Sequence, residues 1–344
     1  MKNFLFRAVP LSFLVLFSGA IFAQQEIADF LQGGVGDAKK LGNAYLEPFG
    51  KMFGTSLNGG WYQAAAPHKL FGFDITFTTS IVTAPSSAKT FDVNDLNLDK
   101  LIVMGSNSIA PTISGSSSTV GPKLAHEDAP NVPLFTLPKG GGLPLTPMML
   151  IQGSIGLPFH SELTVRFLPP VNVPKMGRVV LWGVGAKNEF KEFIPGLKHV
   201  PIDLSIMVGY TKFSSEFDVN YKPDPANMPE GYTSSDFDGQ KIALDASGFT
   251  ARLLVGKSIP ILSVYAGLGY STATSDFGLK GNYPIGVEPN YVDVINDPFV
   301  LAFTNSNFSA NAGFRIRLSV ISLNFDYTVG DYAMYTAGLG ISFR

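Results

Sequence analysis

Between Phe314 and Tyr327 the chain reads FRIRLSVISLNFDY, with apolar and polar side chains taking turns almost one for one. A period of two belongs to a β-strand, whose successive side chains point to opposite faces. No other feature restricts the fold as much, because the period recurs from residue 71 to the end. Phe71, Phe73, Ile75, Phe77 and Ile81 alternate with Gly72, Asp74, Thr76, Thr78 and Ser80. Leu163, Val165 and Phe167 alternate with Glu162, Thr164 and Arg166, and Trp182 and Val184 with Gly183, Gly185 and Lys187. Leu204, Ile206, Val208 and Tyr210 oppose Asp203, Ser205 and Gly209, and Leu262, Val264, Leu268 and Tyr270 oppose Ser263, Gly267 and Gly269. Phe308, Phe314 and Ile316 oppose Arg315 and Arg317, Leu323 and Phe325 oppose Asn324 and Asp326, and Tyr335, Leu339, Ile341 and Phe343 oppose Gly338 and Gly340. Weaker runs at 146–156 and 244–256 bring the expected count to about ten strands, with twelve or fourteen as alternatives if the long stretch 86–144 hides a further pair.

The oily faces need a medium. A soluble sandwich would bury them in a core and turn Lys and Glu outward. Here the polar faces are mostly Ser, Thr, Asn and Gly, and only 15% of residues are charged, against roughly 25% in an average soluble domain. The alternating runs are about nine to twelve residues long, enough to cross a bilayer when tilted. Aromatics gather at their ends: Tyr210, Tyr270, Phe308, Tyr327 and Tyr335 at one, Phe71 and Phe343 at the other. Two aromatic girdles mark a transmembrane barrel. The expected fold is therefore all-β, an antiparallel up-and-down transmembrane barrel with a short N-terminal helical segment.

The direction of the faces follows from cost. Arg or Lys against lipid near the midplane costs roughly 2–4 kcal/mol. Arg252, Arg315 and Arg317 together would forfeit up to about 10 kcal/mol, comparable to the stability of a whole domain. The charged residues Asp74, Glu162, Arg166, Lys187, Asp203, Arg252, Arg315, Arg317 and Asp326 are therefore assigned to the lumen. There they either fill a narrow barrel with ion pairs or line a polar pathway.

Connections support the same picture. Turns at 157–160, 257–260 and 319–320 are short, whereas 86–144, 217–241 and 278–303 are long and rich in Gly, Pro and Asp. Barrels of outer membranes have short periplasmic turns and longer outside loops. The start, MKNFLFR followed by AVPLSFLVLFSGAIF, has the charge and apolar run of a secretory signal peptide over 1–23, cut after Ala23 or, alternatively, after Ala20. Residues 24–65 are read as helical, with Leu41, Tyr45, Phe49, Met52 and Phe53 at spacings of three and four. Pro48 is expected to kink the helix and Gly59-Gly60 to end it. The barrel proper is 66–344. Inward glycines such as Gly183, Gly185, Gly209, Gly267 and Gly269 leave interior room. The 24–65 segment, with Tyr45, Phe49, Met52, Phe53, Trp61 and Tyr62, carries too much apolar surface to stand bare. It is expected to plug or cap the periplasmic side of the lumen.

The leader, the alternating strands and the terminal GLGISFR resemble Gram-negative outer-membrane β-barrels. That resemblance implies residence in the outer membrane and assembly by its barrel-inserting machinery, which reads a terminal aromatic; here Arg344 follows Phe343. AYLEPFGKMFG, NGGWYQAAAPHKLFGFDITFT and KEFIPGLKHVPIDLS resemble an uncharacterised family of such barrels, over most of the mature chain. It implies no activity or functional residue. A helical segment ahead of the barrel is distantly similar to outer-membrane long-chain fatty-acid transporters, which have more strands and a different N-terminal signature.

Chemistry is sparse. A net charge of −2 offers no basic footprint for nucleic acid, and the absence of cysteine removes disulfides and thiolate metal sites. His68, His126, His160 and His199 show no metal-pair spacing and read as surface residues. GGVGDAKK at 33–40 lacks the spacing of a phosphate loop and reads as a helix start. Asp95–Asp99 lacks the glycine and glutamate of a calcium loop. No catalytic residue, metal or cofactor is assigned. The expected partners are the lipid bilayer, the assembly machinery and a small solute. The leading expectation is passive transport or uptake of a small or hydrophobic solute. A non-catalytic structural or surface-binding barrel and a membrane-embedded hydrolase are the alternatives.

Overall fold

The computed structural model describes residues 34–173, 177–219, 222–223, 228–287 and 290–343. Residues 1–33, which include the expected leader, lie outside them. Ten antiparallel strands close into one barrel: β1 (Phe73–Thr83), β2 (Leu145–Leu157), β3 (Ser161–Val173), β4 (Gly177–Glu189), β5 (Asp203–Asp218), β6 (Lys241–Ser258), β7 (Leu262–Lys280), β8 (Val300–Leu318), β9 (Ile321–Val329) and β10 (Ala333–Phe343). Each pairs with its sequence neighbours, and β1 pairs with β10 from Phe73↔Phe343 to Thr83↔Ala333. Twelve or fourteen strands are thereby set aside. Stretch 84–144 does contain short strands, but they pair among themselves: Thr90–Asp92 with Ile109–Pro111, and Leu101–Val103, Lys123–His126 and Pro133–Thr136 in a second sheet.

Every strand keeps the expected register. Phe314, Leu323, Phe325, Leu339 and Ile341 are exposed on the outer wall, while Arg315, Asn324 and Asp326 are buried inside. Cross-strand aromatic pairs mark both ends of the wall. Trp182–Tyr210, Tyr270–Phe308 and Tyr327–Tyr335 lie toward the long loops, and Phe73 stacks on Phe343 with ring centroids 5.0 Å apart at the short-turn end. Leu268, 66% exposed in β7, stands on this apolar band. Leu268→Arg is expected to cost about 2–4 kcal/mol. It should reduce the heat-modifiable folded band on gels; an unchanged band would mean the wall does not face hydrocarbon.

Among the described residues a single α-helix, α1 (Val35–Ser56), lies inside the barrel and runs through Pro48 without interruption. It lies toward the long loops, not at the short-turn end where the sequence led us to expect it. Its first turn meets the long-loop cap: the Asp37 carboxylate accepts from the backbone N–H groups of Asp99, Lys100 and Leu101, at 2.6–3.1 Å. The reason is chain length. Residues 57–72 run lengthwise through the lumen before β1 begins, so the helix is carried to the opposite end.

The lumen is accordingly divided. Toward the long loops, Leu46, Phe49, Phe53 and Leu57 form one apolar cluster with Met148, Leu150, Leu181, Phe213 and Leu244 of the wall. Toward the short turns, the buried wall is mixed: Asp74, Thr76, Gln152, Glu162, Arg166, Lys187, Arg252, Asn311 and Asp326 stand beside a smaller apolar group of Met207, Leu254 and Tyr265.

Candidate functional site

Segment 57–72 has no regular structure of its own, so its backbone carbonyls need donors from the wall. The inward polar residues supply them. Arg166 donates to the carbonyl oxygens of Leu57, at 2.9 Å, and of Gly59, and its guanidinium lies 3.6 Å from the Trp61 ring centroid. Lys187 Nζ donates to the Ala64 carbonyl, and the Ser205 hydroxyl to that of Ala65. Several of the residues assigned to the lumen thus hold the chain that fills it.

The others form two groups. Arg252 donates to Asn311 Oδ1 and Ser309 Oγ, Asn311 donates to Asp326, and the Tyr62 hydroxyl donates to Asn311 Oδ1 at 2.8 Å. At the short-turn end, Glu162 takes the backbone N–H of His68 at 2.8 Å, its Nδ1 at 2.7 Å and Lys187 Nζ at 3.0 Å. His68 Nε2 lies 3.2 Å from Asp74, and Arg315 Nη2 lies 3.8 Å from the same carboxylate. Asp203 stands apart at the rim, 3.7 Å from Lys191.

His68 is therefore not the surface residue the sequence suggested; its side chain is only 8% exposed. Burial alone would favour neutral imidazole, but the accepting carboxylates of Asp74 and Glu162 at its two ring nitrogens outweigh it and raise the pKa to about 9. The signal was its position, just ahead of a strand that carries an inward Asp74.

Of the residues assigned to the filling segment, Tyr45, Phe49, Met52 and Phe53 lie in the long-loop half, and Phe53 meets Phe213 edge-on at 4.9 Å. Trp61 lies deeper, between Gly185 and Gly209. A Cβ at either glycine would fall 2.5–2.7 Å from its ring, and this close approach accounts for both. Gly209→Leu is expected to displace Trp61 at an overpacking cost of about 1–3 kcal/mol. With the second tryptophan, Trp182, changed to Phe, the shift should appear as red-shifted Trp61 emission. Unaltered emission would refute the packing.

The wall has one weak seam. β2 and β3 are 13 residues each and joined by a tight turn, yet they pair only from Leu157↔Ser161 to Gln152↔Arg166. Beyond that the strands part. Continued register would set Pro147, Pro169 and Pro170 in the unpaired half, and the pairing of β3 with β4 shifts between Leu168 and Val171. Proline has no N–H to give a ladder. A narrow crevice of about 20 Å³ opens here, lined by Phe77, Met149, Leu150, Ile151, Phe167, Leu168 and Leu181. Phe77, Met149, Ile151 and Phe167 belong to the lipid-facing set, and Leu150, Leu168 and Leu181 to the lumenal one. Its lining side chains are all apolar and come from both faces of the wall.

A family model described as "Family of unknown function (DUF6588)" matches residues 1–343. No curated protein matches the chain. Among solved structures, Ail, the attachment invasion locus protein of Yersinia pestis, is 8% identical, with 80% of this chain and 99% of that one covered and a TM-score of 0.27. The translocator domain of the autotransporter NalP from Neisseria meningitidis is 10% identical, covering 80% and 90%, with a TM-score of 0.29. The Ralstonia pickettii toluene transporter TbuX is 8% identical, covering 87% and 99%, with a TM-score of 0.24. At such scores none of them bears on what this chain does.

Proposed function

We propose, for a chain that belongs to the Family of unknown function (DUF6588), passive uptake of a small hydrophobic solute through the side of an exported outer-membrane barrel that its own residues 34–72 close along the axis. One observation carries the reading: the crevice between β2 and β3 is lined by apolar side chains of both the lipid-facing wall and the apolar half of the lumen. Lipid leaves an unpaired strand edge costly, at several kcal/mol per unmet backbone group. A seam that stays unzipped there is favoured when an apolar chain or ring fills it. The crevice is too narrow to pass a solute at rest, so uptake requires β2 and β3 to part further. The bilayer and the barrel-assembly machinery are the partners this reading entails. Catalysis has no place in it.

The test uses a chain that naturally lacks cysteine. Leu150→Cys with Leu168→Cys places thiols where continued register would meet. Tethering them with a short bis-thiol reagent should cut uptake of the hydrophobic dye N-phenyl-1-naphthylamine to the level of vesicles without protein, and cleaving the tether should restore it. Dye uptake that the tether leaves unchanged would defeat the lateral route. The ordered cap over 84–144 favours a second reading, a surface-binding barrel. Vesicles that take up no dye even with the untethered protein would favour that one.

A further inference from the structure

At the short-turn end, a pocket of about 200 Å³ opens between the lumenal segment and the β6–β7 turn. Its polar lining is His68, Lys69, Ser258, Ser263, Arg315 and Arg317. No acidic side chain lines it among the described residues. The nearby carboxylates are already engaged: Glu162 with Lys187 and His68, and Asp74 with His68 at 3.2 Å and, more distantly, with Arg315 at 3.8 Å. Two carboxylates thus face three cations, and Arg317 and Lys69 add further positive charge at the pocket. Arg315 is 8% exposed, and its Nε and Nη2 are buried without a hydrogen-bond acceptor; Asp74 is beyond hydrogen-bond reach. A buried guanidinium with idle donors is an expensive arrangement unless something supplies acceptors. A water occupies about 30 Å³, so the pocket has room for an oxyanion and part of its hydration shell.

We propose that this pocket binds a phosphate group, held by Arg315 and Arg317 with Lys69 and the Ser258 and Ser263 hydroxyls at its edge. Arginine is suited to the task because its planar donors match phosphate oxygens two at a time. The phosphate could belong to an anionic phospholipid headgroup at the membrane edge or to a soluble ligand; the chemistry is shared. The site is independent of the lateral seam and stands or falls separately from it.

Full-length protein in zwitterionic detergent is titrated with inorganic phosphate by calorimetry, against Arg317→Gln and Arg315→Gln. Saturable binding that weakens about tenfold or more in either variant, with heat-modifiable migration preserved, is the expected result. Should Arg315→Gln fail to fold, Arg317→Gln with Lys69→Gln at the pocket edge gives the same reading. A parallel arm places the protein in nanodiscs of phosphatidylcholine with or without phosphatidylglycerol and follows retained lipid by native mass spectrometry. Arg317-dependent retention of phosphatidylglycerol identifies the headgroup as the source. Calorimetric binding without such retention identifies a soluble phosphate. If neither inorganic phosphate nor phosphatidylglycerol binds, or if both bind equally to all variants, the assignment is overturned.

Discussion

Deleting residues 34–62 is expected to turn a silent barrel into one that conducts in discrete steps across a planar bilayer. The segment removed fills the lumen from the long-loop cap to Trp61. Leu41, Tyr45, Leu46, Phe49, Met52, Phe53 and Leu57 are each at most 6% exposed. At about 1.5–3 kcal/mol for each fully buried side chain, the helix would forfeit on the order of 10–20 kcal/mol of apolar burial if it left as a unit. Spontaneous expulsion is negligible on that scale. For the same reason the lateral seam is a better route than the barrel axis. The backbone ladder of the wall runs strand to strand without the helix, so the shortened chain should still migrate as a folded barrel. A folded deletion variant that remained silent would show that something else closes the lumen.

The second large effect concerns His68. Its pKa rises from an ordinary 6.5 to about 9 in the folded chain, a difference worth about 3 kcal/mol. A raised pKa on a cation means that its stabilisation is complete below about pH 6.5 and is lost as the pH climbs through 9. Asp74 and Glu162 lose their shared partner as the imidazole deprotonates. Residues 63–70 should therefore loosen between pH 6 and pH 9.5. Ala66→Cys would report it as faster labelling by a thiol reagent, after correction for thiolate formation on an exposed control. His68→Gln in that background should label fast at both pH values, being some 3 kcal/mol less firmly docked at pH 6. A labelling rate that is slow and unchanged at both, in the parent, would exclude the latch.

The wall was legible and the interior mostly was not. Period two assigns a face to each residue without reference to any partner, so Phe314, Arg315, Ile316 and their counterparts could be placed from the sequence alone. The lumenal contacts join residues far apart in the chain, such as His68 with Glu162 or Tyr62 with Asn311, and local pattern does not encode such pairs. Two signals were nevertheless present. Gly185 and Gly209 sit on neighbouring strands at the same height, Gly209↔Gly185 in register, marking where a large ring would lie. Pro169-Pro170 inside one strand and Pro147 in its neighbour foretell a seam that cannot zip. The direction of the helix carried no signal of its own, since it follows from how far 57–72 travels before turning into β1.

That continuity bears on assembly order. β1 is at once the end of the lumenal segment and the partner of β10. A 22-residue helix is about 33 Å long and, with side chains, about 10–12 Å across. It does not readily pass through a ring that is already shut and whose bore it must fill. If β1 instead brings it in while zipping onto β10, the ring and its contents are completed in one motion. The earliest-made part of the chain is then the last to be enclosed, and the final strand, Ala333–Phe343, acts as the clasp. Until β10 has formed, the helix is not enclosed, so a chain cut short at its C-terminus loses the closure of its wall and the enclosure of its lumen together.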